Sequence, residues 1–264
     1  MTASARSSPP SIAELRRVTQ PESIMGRANA EHWAGRLYMR RLSPYVTRLL
    51  LRTRISADGV TWLMFPTGLG AALALTWPGL GGAILAVLLI QAQLLVDCCD
   101  GEVARWRQTS SPAGIFLDRL AHHTTDAAIA IALGVRADGG WDELGGWTTL
   151  GCLIAVLGLL IKAETLLVPV ARAAVGRPPA ADTAAVASPR GGVLRRARRA
   201  AGLAPLFRAL VTVETTLLAL AAAIADVIAG GLDGTQVLVV ALVPVATLTL
   251  LGHLAGILAS NRLR

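Results

Sequence analysis

Residues that could carry out chemistry are concentrated between residues 97 and 126. The set comprises Asp97, Asp100, Gly101, Ala104, Arg105, Gly114, Asp118, His122 and Asp126. Carboxylates gathered in apolar surroundings repel one another, and this costs free energy unless a cation compensates their charge. Carboxylate oxygens suit magnesium, manganese or calcium, and the planar fork of an arginine suits phosphate. The side chains therefore predict divalent-metal chemistry on a phosphate group.

Two apolar segments must position these residues, because residues 80–103 and 113–135 are each long enough to cross a membrane as a helix. A short polar connection joins them at residues 106–111. Ser111 and Pro112 have the chemistry of a helix N-cap and the first helical residue after it. We therefore expect an antiparallel hairpin of two helices.

The hairpin predicts which of the site residues meet. Residues equally far from the turn lie at the same height, which pairs Asp100 with Asp118 and Asp97 with His122. Residues three and four apart on a helix share a face, so Asp126 follows His122 one turn further along the same side. Carboxylates and an imidazole are thus expected to converge near a membrane surface.

The composition of the 264-residue chain is that of a polytopic membrane protein. Hydrophobic residues make up 53% and charged residues 16% of the chain, and the mean hydropathy of +0.55 excludes an ordinary soluble domain. The formal net charge of +8 indicates contact with anionic lipid rather than nucleic acid, because aromatic residues are few and the arginines lie between apolar segments. The fold class that we expect is all-α.

Six apolar segments are long enough to span a bilayer. They are residues 59–77, 80–103, 113–135, 147–170, 207–229 and 236–259. Arginines cluster before the first span, between the second and third, between the fourth and fifth, and at the C-terminus. By the positive-inside rule, both termini and the acidic site are expected on the cytosolic face of the membrane, which we take to be a bacterial cell membrane.

Two regions are expected along the chain. Residues 1–54 form a cytosolic N-terminal segment, in which residues 29–54 mix apolar residues with arginines as interfacial helices do, with a break at Pro44. Residues 55–264 form one six-helix membrane domain, with a basic cytosolic loop at residues 171–206.

The motif DxxDGxxARx8GxxxD, which runs from Asp97 to Asp118, is similar to the signature of the CDP-alcohol phosphotransferase family, also called CDP-alcohol phosphatidyltransferases. The resemblance implies six membrane spans and transfer of a phosphoryl-alcohol group, here a phosphatidyl group, from a CDP-linked donor to an alcohol acceptor. CMP is then released. It further implies a role in phospholipid biosynthesis, CDP-diacylglycerol as the donor, a magnesium or manganese cofactor, and a homodimer in the lipid membrane.

The resemblance also assigns roles to individual residues. The metal ligands that it implies are Asp97, Asp100 and Asp118. The residues that it implies for the CDP-linked donor are Asp97, Gly101, Ala104, Arg105, Gly114 and Thr61. Glu102 resembles the residue found in relatives that use inositol phosphates. Glycerol phosphate, inositol, serine and amino alcohols stay open as acceptors.

Two groups of residues keep alternative interpretations. Thr61 matches the end of a segment that relatives carry before their first span, but Ser56 or Asp58 there could simply cap a helix. Four polar residues fall toward the cytosolic ends of the last three spans, where they could line an acceptor pocket or pair with one another. They are Lys162, Glu164, Glu214 and His253.

One position departs from the family pattern, because His122 stands where the family has a fourth Asp, which relatives are thought to use as a general base and metal-site residue. An imidazole titrates near neutral pH and is a competent base. We hypothesise that Asp126 orients His122 and that this pair replaces the missing carboxylate, with Asp118 beside it in catalysis. The alternatives are a family member with weakened or lost activity and an ion-coupled transporter.

Overall fold

The computed structural model describes residues 10–21, 32–178 and 206–263, and every regular element within these ranges is helical. The α-helices are α1 (Ile12–Thr19), α2 (Arg40–Leu50), α3 (Ala57–Trp62), α4 (Met64–Leu75), α5 (Leu80–Arg107), α6 (Pro112–Ala137), α7 (Gly146–Ala174), α8 (Thr212–Ala229) and α9 (Asp233–Ala259). A π-helical turn, Gly35–Met39, precedes α2, and a 3₁₀ turn, Leu206–Leu210, precedes α8. The all-α class is confirmed. Most of the predicted basic loop, residues 179–205, lies outside the described residues.

The chain divides into two compact units. The first unit consists of residues 1–70 and 88–124, and the second of residues 71–87 and 125–264. Helices α4, α5 and α6 each continue from one unit into the other. The α5–α6 turn, with the residues that flank it, therefore belongs to the first unit.

Among the residues that the structure describes, four helices are long and apolar enough to cross a membrane, namely α5, α7, α8 and α9. They correspond to the predicted spans at residues 80–103, 147–170, 207–229 and 236–259. Helix α8 begins later than expected, because the 3₁₀ turn occupies the start of the predicted segment. The chain is therefore an integral membrane protein, as its composition predicts.

The other two predicted spans are not confirmed. The segment at residues 59–77 is divided between α3 and α4, because Pro66 has no N–H to donate to the carbonyl of Trp62 and the helix is interrupted at Leu63. Helix α6 has 26 residues, but its first half is too polar for a typical span. This half carries Asp118, Arg119, His122 and His123, and Asp126 follows just after it. The six-span layout stays a prediction.

The turn between α5 and α6 is built as the sequence predicts. Gln108 adopts a left-handed backbone with φ of 57°, and the N–H of Thr109 then donates to the carbonyl of Ala104 at 2.9 Å. This bond satisfies a carbonyl at the end of α5. At the start of α6, the Ser111 hydroxyl accepts from the N–H of Gly114 at 2.9 Å, so the predicted N-cap is confirmed.

The expected helix break at Pro44 is wrong, because Pro44 lies inside α2. A proline at this position leaves the carbonyl of Arg40 without its usual helical donor. The π-helical turn ends immediately before Arg40, and the side-chain amide of Gln20 donates to the freed carbonyl at 2.9 Å. The helix therefore continues through the proline with the lost hydrogen bond replaced. Whether α1 and α2 lie on a membrane surface stays a prediction.

The core of the first unit joins α3 to α5. The buried side chains of Ala57 and Val60 pack with those of Cys99 and Val103. Partly buried residues surround this core, among them Ala104. Because this packing involves the face of α5 that carries Cys99 and Val103, it fixes how α5 is rotated and thus which side chains remain available for the site.

A buried arginine side chain cross-links parts of the second unit. Arg136 on α6 is 0% exposed, and its guanidinium donates to the carbonyl groups of Trp77, Pro78 at 2.6 Å and Gly79 at 3.1 Å. Its Nε donates to the hydroxyl of Thr235 at 3.3 Å. In the same unit, α9 packs along α7 and also contacts α8. The arginine has its donors occupied by protein groups and serves the fold.

Candidate active site

The first unit brings three of the predicted site residues together. His122 Nε2 on α6 lies 3.2 Å from Asp97 Oδ1 on α5 and 3.3 Å from Asp118 Oδ1, one turn earlier on α6. One ligand atom from each residue lies within 4.8 Å of the other two. The side chains are 29% exposed for Asp97, 38% for Asp118 and 43% for His122, so a ligand can reach them.

This cluster is incompletely hydrogen-bonded. Asp118 Oδ1 is buried and makes no hydrogen bond, although His122 Nε2 lies 3.3 Å from it. A buried carboxylate oxygen without a donor costs free energy, which a bound cation would recover. Two carboxylate oxygens and one imidazole nitrogen also form a donor set that divalent cations accept. The residues present therefore fit a divalent metal site.

Asp100 lies outside this group of three, which differs from the expected ligand set. Its Oδ2 accepts from the hydroxyl of Thr61 at 2.7 Å. Thr61 is buried on α3, and its hydroxyl also lies 3.2 Å from the carbonyl of Ala57. The structure thus places His122 with Asp97 and Asp118. Asp100 is hydrogen-bonded instead to Thr61, which the sequence linked only weakly to the site.

Gly114 makes room for an acidic side chain at the start of α6. A Cβ atom at this position would lie 2.8 Å from Asp58 Oδ1, which is closer than such contacts allow. The Ser111 hydroxyl lies 3.4 Å from the same oxygen. The glycine therefore lets Asp58 approach the first turn of α6, beside the turn that leads to Asp118.

Gly101 makes room for a guanidinium on α5. A Cβ atom there would lie 3.0 Å from Arg105 Nη1 and 3.2 Å from Nη2, so the guanidinium lies over the bare backbone of Gly101. The Nε of Arg105 donates to the carbonyl of Thr19 at 2.6 Å. Ala104, which the resemblance implies for donor binding, is partly buried and packs against the core of the first unit.

The expected pairing of Asp126 with His122 is wrong. Asp126 belongs to the second unit, where its two carboxylate oxygens accept from Lys162 and from the hydroxyl of Thr212. A lysine within an apolar helix needs a counter-charge, and Asp126 supplies it. The His122 ring contacts the two acids of the first unit instead.

A second pair forms among the polar residues of the second unit. His253 Nδ1 lies 2.8 Å from Glu164 Oε2, with 30% of the histidine side chain and 14% of the glutamate side chain exposed. The alternative of mutual pairing is therefore what the structure shows for Glu164 and His253. Lys162 pairs instead with Asp126, which lies outside the predicted set.

Glu102 has a role that the sequence did not indicate. Its side chain is 0% exposed and accepts from Gln20, from Ser43 and from Thr47. The acid therefore faces the N-terminal helices, and what its similarity to relatives that use inositol phosphates implies for the acceptor stays a prediction. A signal was present in α2, where Ser43 and Thr47 lie one turn apart and form a polar stripe.

Comparison with known proteins identifies a family and several relatives of this chain. A family model described as CDP-alcohol phosphatidyltransferase matches residues 55–227. A protein of Rubrobacter xylanophilus named bifunctional IPC transferase and DIPP synthase is 39% identical over 140 residues, which cover 51% of this chain and 28% of the relative. A protein of Aquifex aeolicus with the same name is 31% identical over 103 residues, which cover 39% of this chain and 22% of the relative.

A third relative, an uncharacterized protein of Aquifex aeolicus, is 32% identical over 131 residues, which cover 47% of this chain and 65% of the relative. The matches to the two bifunctional proteins span less than a third of their length. Residues 97–118, which carry the motif, lie inside the range matched by the family model.

Proposed function

This chain belongs to the CDP-alcohol phosphatidyltransferase family, and we propose that it transfers a phosphatidyl group from CDP-diacylglycerol to the hydroxyl of an alcohol acceptor in phospholipid biosynthesis. Family membership makes the chain a phosphotransferase enzyme, as the motif predicts. The observation that carries the proposal is the group formed by Asp97, Asp118 and His122, whose negative charge is incompletely compensated.

The reaction sets clear demands on the site. The acceptor oxygen forms a bond to the phosphorus that carries the diacylglycerol, and the bond from that phosphorus to the CMP oxygen breaks. The proton of the acceptor hydroxyl passes to water or to the phosphate of the leaving CMP. The diphosphate charge must be neutralised and the hydroxyl held in line with the leaving group. A divalent cation, magnesium or manganese, supplies this neutralisation when it is bound.

The residues that would hold the cation are Asp97, Asp118 and His122, since their ligand atoms converge in the structure. Asp100 lies one turn from Asp97 on α5, and Thr61 orients its carboxylate by donating to Oδ2. We assign Asp100 to the same acidic site, where it would bind a cation together with the donor phosphates.

His122 is assigned to the metal site rather than to an Asp126-oriented base. Its Nε2 lies between two carboxylate oxygens, a position that is stable when the nitrogen carries a proton or when a cation takes the place of that proton. A protonated ring thus compensates part of the charge of Asp97 and Asp118, whereas a fourth carboxylate in its place would add negative charge that a bound metal has to compensate.

We assign the cytidine nucleotide to the surface around Gly101, where the helix carries no side chain, beside these acids. Gly101 lies one turn from Asp97 and one turn from Arg105 on α5, so the three share a face. Arg105 presents its two Nη groups over Gly101, and a planar fork of this kind suits a phosphate group. Gly114 lets the start of α6 come close to Asp58. Ala104 supports this face through its packing against the core of the first unit.

The membrane setting supports a lipid-linked donor. The helix that carries Asp97 and Asp100, α5, is also one of the described helices that are apolar enough to cross a bilayer. The acyl chains of CDP-diacylglycerol can then stay in the bilayer while its headgroup enters the site. We place the site on the cytosolic face because Arg105 and Arg107 lie at the end of α5. A homodimer is part of the same proposal and is tested by its mass in nanodiscs.

The test is CMP release by the purified protein in lipid nanodiscs. CDP-diacylglycerol is supplied with magnesium or manganese and a panel of alcohols. We expect CMP only with a metal and only with one class of acceptor. The variant Asp97→Ala should lose this activity, whereas Asp142→Ala, which removes an exposed acid from the loop before α7, should keep it.

Two outcomes would contradict the proposal. CDP binding without CMP release across the panel would indicate a catalytically silent family member. Ion-driven uptake into vesicles without any CMP would indicate a transporter instead.

A further inference from the structure

Glu102 ties the N-terminal helices to the helix that carries the acidic site. Its buried carboxylate accepts from the Ser43 hydroxyl at 2.5 Å and from the Thr47 hydroxyl at 2.7 Å. It also accepts from the side-chain amide of Gln20 at 2.8 Å, and Arg40 Nη1 lies 3.6 Å from it. A buried carboxylate needs such partners. Ser43 and Thr47 hold α2 on α5, and Gln20 holds the end of α1 there.

Gln20 is the partner that fixes α1, because it follows the last residue of that helix. Its Nε2 donates both to Glu102 and, at 2.9 Å, to the Arg40 carbonyl that Pro44 leaves free. One side chain therefore joins the end of α1 to α2 and to α5. Arg16 on α1 adds a bond from its guanidinium to a carbonyl of α2 at 3.1 Å.

The end of α1 contacts a residue assigned to the donor site. The carbonyl of Thr19 accepts from Arg105 Nε at 2.6 Å. This bond holds the guanidinium plane by its inner nitrogen and leaves the two Nη groups over Gly101. An arginine side chain that is held in this way loses less conformational freedom when it binds a phosphate.

We propose that α1 is a positioning element for the CDP-linked donor, with Gln20 as the positioning residue and Arg105 as the residue through which it acts. Gln20 holds the end of α1 on α5, the Thr19 carbonyl then orients the guanidinium, and the Nη groups are presented to the donor phosphates. This inference rests on the proposed function, because it takes Arg105 as a ligand of the donor.

A double-mutant cycle tests the proposal. The four proteins are the wild type, Gln20→Ala, Arg105→Lys and the double variant, each in nanodiscs. The measured quantity is the affinity for CDP in the presence of magnesium. We expect Gln20→Ala to weaken CDP binding about tenfold, the value of one charge-assisted hydrogen bond. Lysine has no counterpart of the arginine Nε, so the double variant should bind CDP no more weakly than Arg105→Lys alone.

Control variants separate positioning from a general loss of structure. Arg17→Ala changes an exposed residue of α1 and should leave CDP affinity unchanged. Ser43→Ala removes another donor from Glu102 without touching α1, so it should lower the unfolding midpoint while keeping CDP affinity within about twofold. Gln20→Asn, whose shorter side chain cannot reach both partners, is the second variant if Gln20→Ala does not fold.

The failure of this inference differs from the failure of the proposed function. Absence of CDP binding by the wild type would contradict the proposed function itself. Normal CDP binding by the wild type together with unchanged affinity in the Gln20 variants would overturn the positioning role alone. Full additivity in the cycle, or an equal loss in Ser43→Ala, would also overturn it.

Discussion

Two acidic sites lie five residues apart on α5 and differ in how their charge is compensated. Glu102 is 0% exposed and is surrounded by two hydroxyl groups, an amide and an arginine. Asp97 is 29% exposed and shares the single Nε2 of His122 with Asp118, whose Oδ1 has no hydrogen bond. A carboxylate whose bonding is complete stabilises the fold, whereas one whose bonding is incomplete remains available to a ligand.

The difference follows from which side of the helix each acid occupies. Cys99 and Val103 pack into the core of the first unit, and Glu102 faces α1 and α2 beside that core. Asp97 and Gly101 lie one turn apart on a shared side, where α6 contributes His122. The core packing sets the rotation of α5 about its axis. It therefore directs Glu102 toward the N-terminal helices and Asp97 toward the candidate active site.

Replacing Asp118 is expected to have the largest effect on activity. Asp118→Asn keeps the shape of the side chain but removes a charge from the group that would hold the cation. Outer partners of a metal site are worth about 10- to 100-fold in affinity or activity, so loss of a direct ligand should lower CMP release by at least about 100-fold. The unfolding midpoint without metal should change little, because the repulsion from Asp97 that is removed offsets the attraction to His122 that is lost.

The measurement is the rate of CMP release against metal concentration, with the unfolding midpoint taken on the same samples. A loss of stability as large as the loss of activity would mean that Asp118 is a structural residue like Glu102. Retention of most of the activity would remove Asp118 from the metal site.

The reverse pattern is expected for Glu102. Glu102→Ala removes one acceptor each from two buried hydroxyl groups and from the Gln20 amide, and it removes the carboxylate beside the Arg40 charge. Loss of one partner from a buried charged network costs about 3 kcal/mol of unfolding free energy. The measurement is unfolding in mixed lipid and detergent micelles, and Glu143→Ala, which changes an exposed acid, is the matched control. An unchanged unfolding free energy would contradict the structural role of Glu102.

The difference between these acids also marks what a sequence can predict. The hairpin, the Ser111 N-cap and the meeting of Asp97 with His122 follow from spacing and local chemistry, because residues near a turn have few ways to pair. The partners of Glu102 and Asp126 depend on packing against residues that are distant in sequence. Spacing along one helix contains no information on which distant side chain compensates a charge.

The helices show the same limit on what the sequence can predict. Long apolar helices such as α7 and α9 were predictable from composition, since length and hydropathy decide whether a helix can cross a membrane. The division of the first predicted span at Leu63 arises from the missing N–H of Pro66, and a hydropathy pattern does not register that loss. The proline in α2 had the opposite outcome, because Gln20 supplies the lost donor from another helix.

His122 provides the finest test of the comparison, because it is the residue that partly compensates the chemical site. His122→Asp would place three carboxylates together where the structure has two with an imidazole. Without metal, their repulsion should lower the unfolding free energy by about 1 kcal/mol. Bound magnesium should restore the lost unfolding free energy, and CMP release should be kept or raised. The ratio of the activity with magnesium to the activity with manganese should rise, because three carboxylates favour the harder ion, magnesium.

The control for this prediction is His122→Ala, which removes both the charge compensation and the ligand and should lower CMP release under either metal. A His122→Asp protein whose stability does not respond to magnesium would show that the cation is held elsewhere. Equal turnover in His122→Ala and the wild type would show that the histidine neither holds the cation nor acts as a base. If magnesium stabilised His122→Asp but not the wild type, the imidazole would already compensate the native cluster, as the partners of Glu102 compensate that acid. The two acidic sites would then differ only in how completely their charge is compensated.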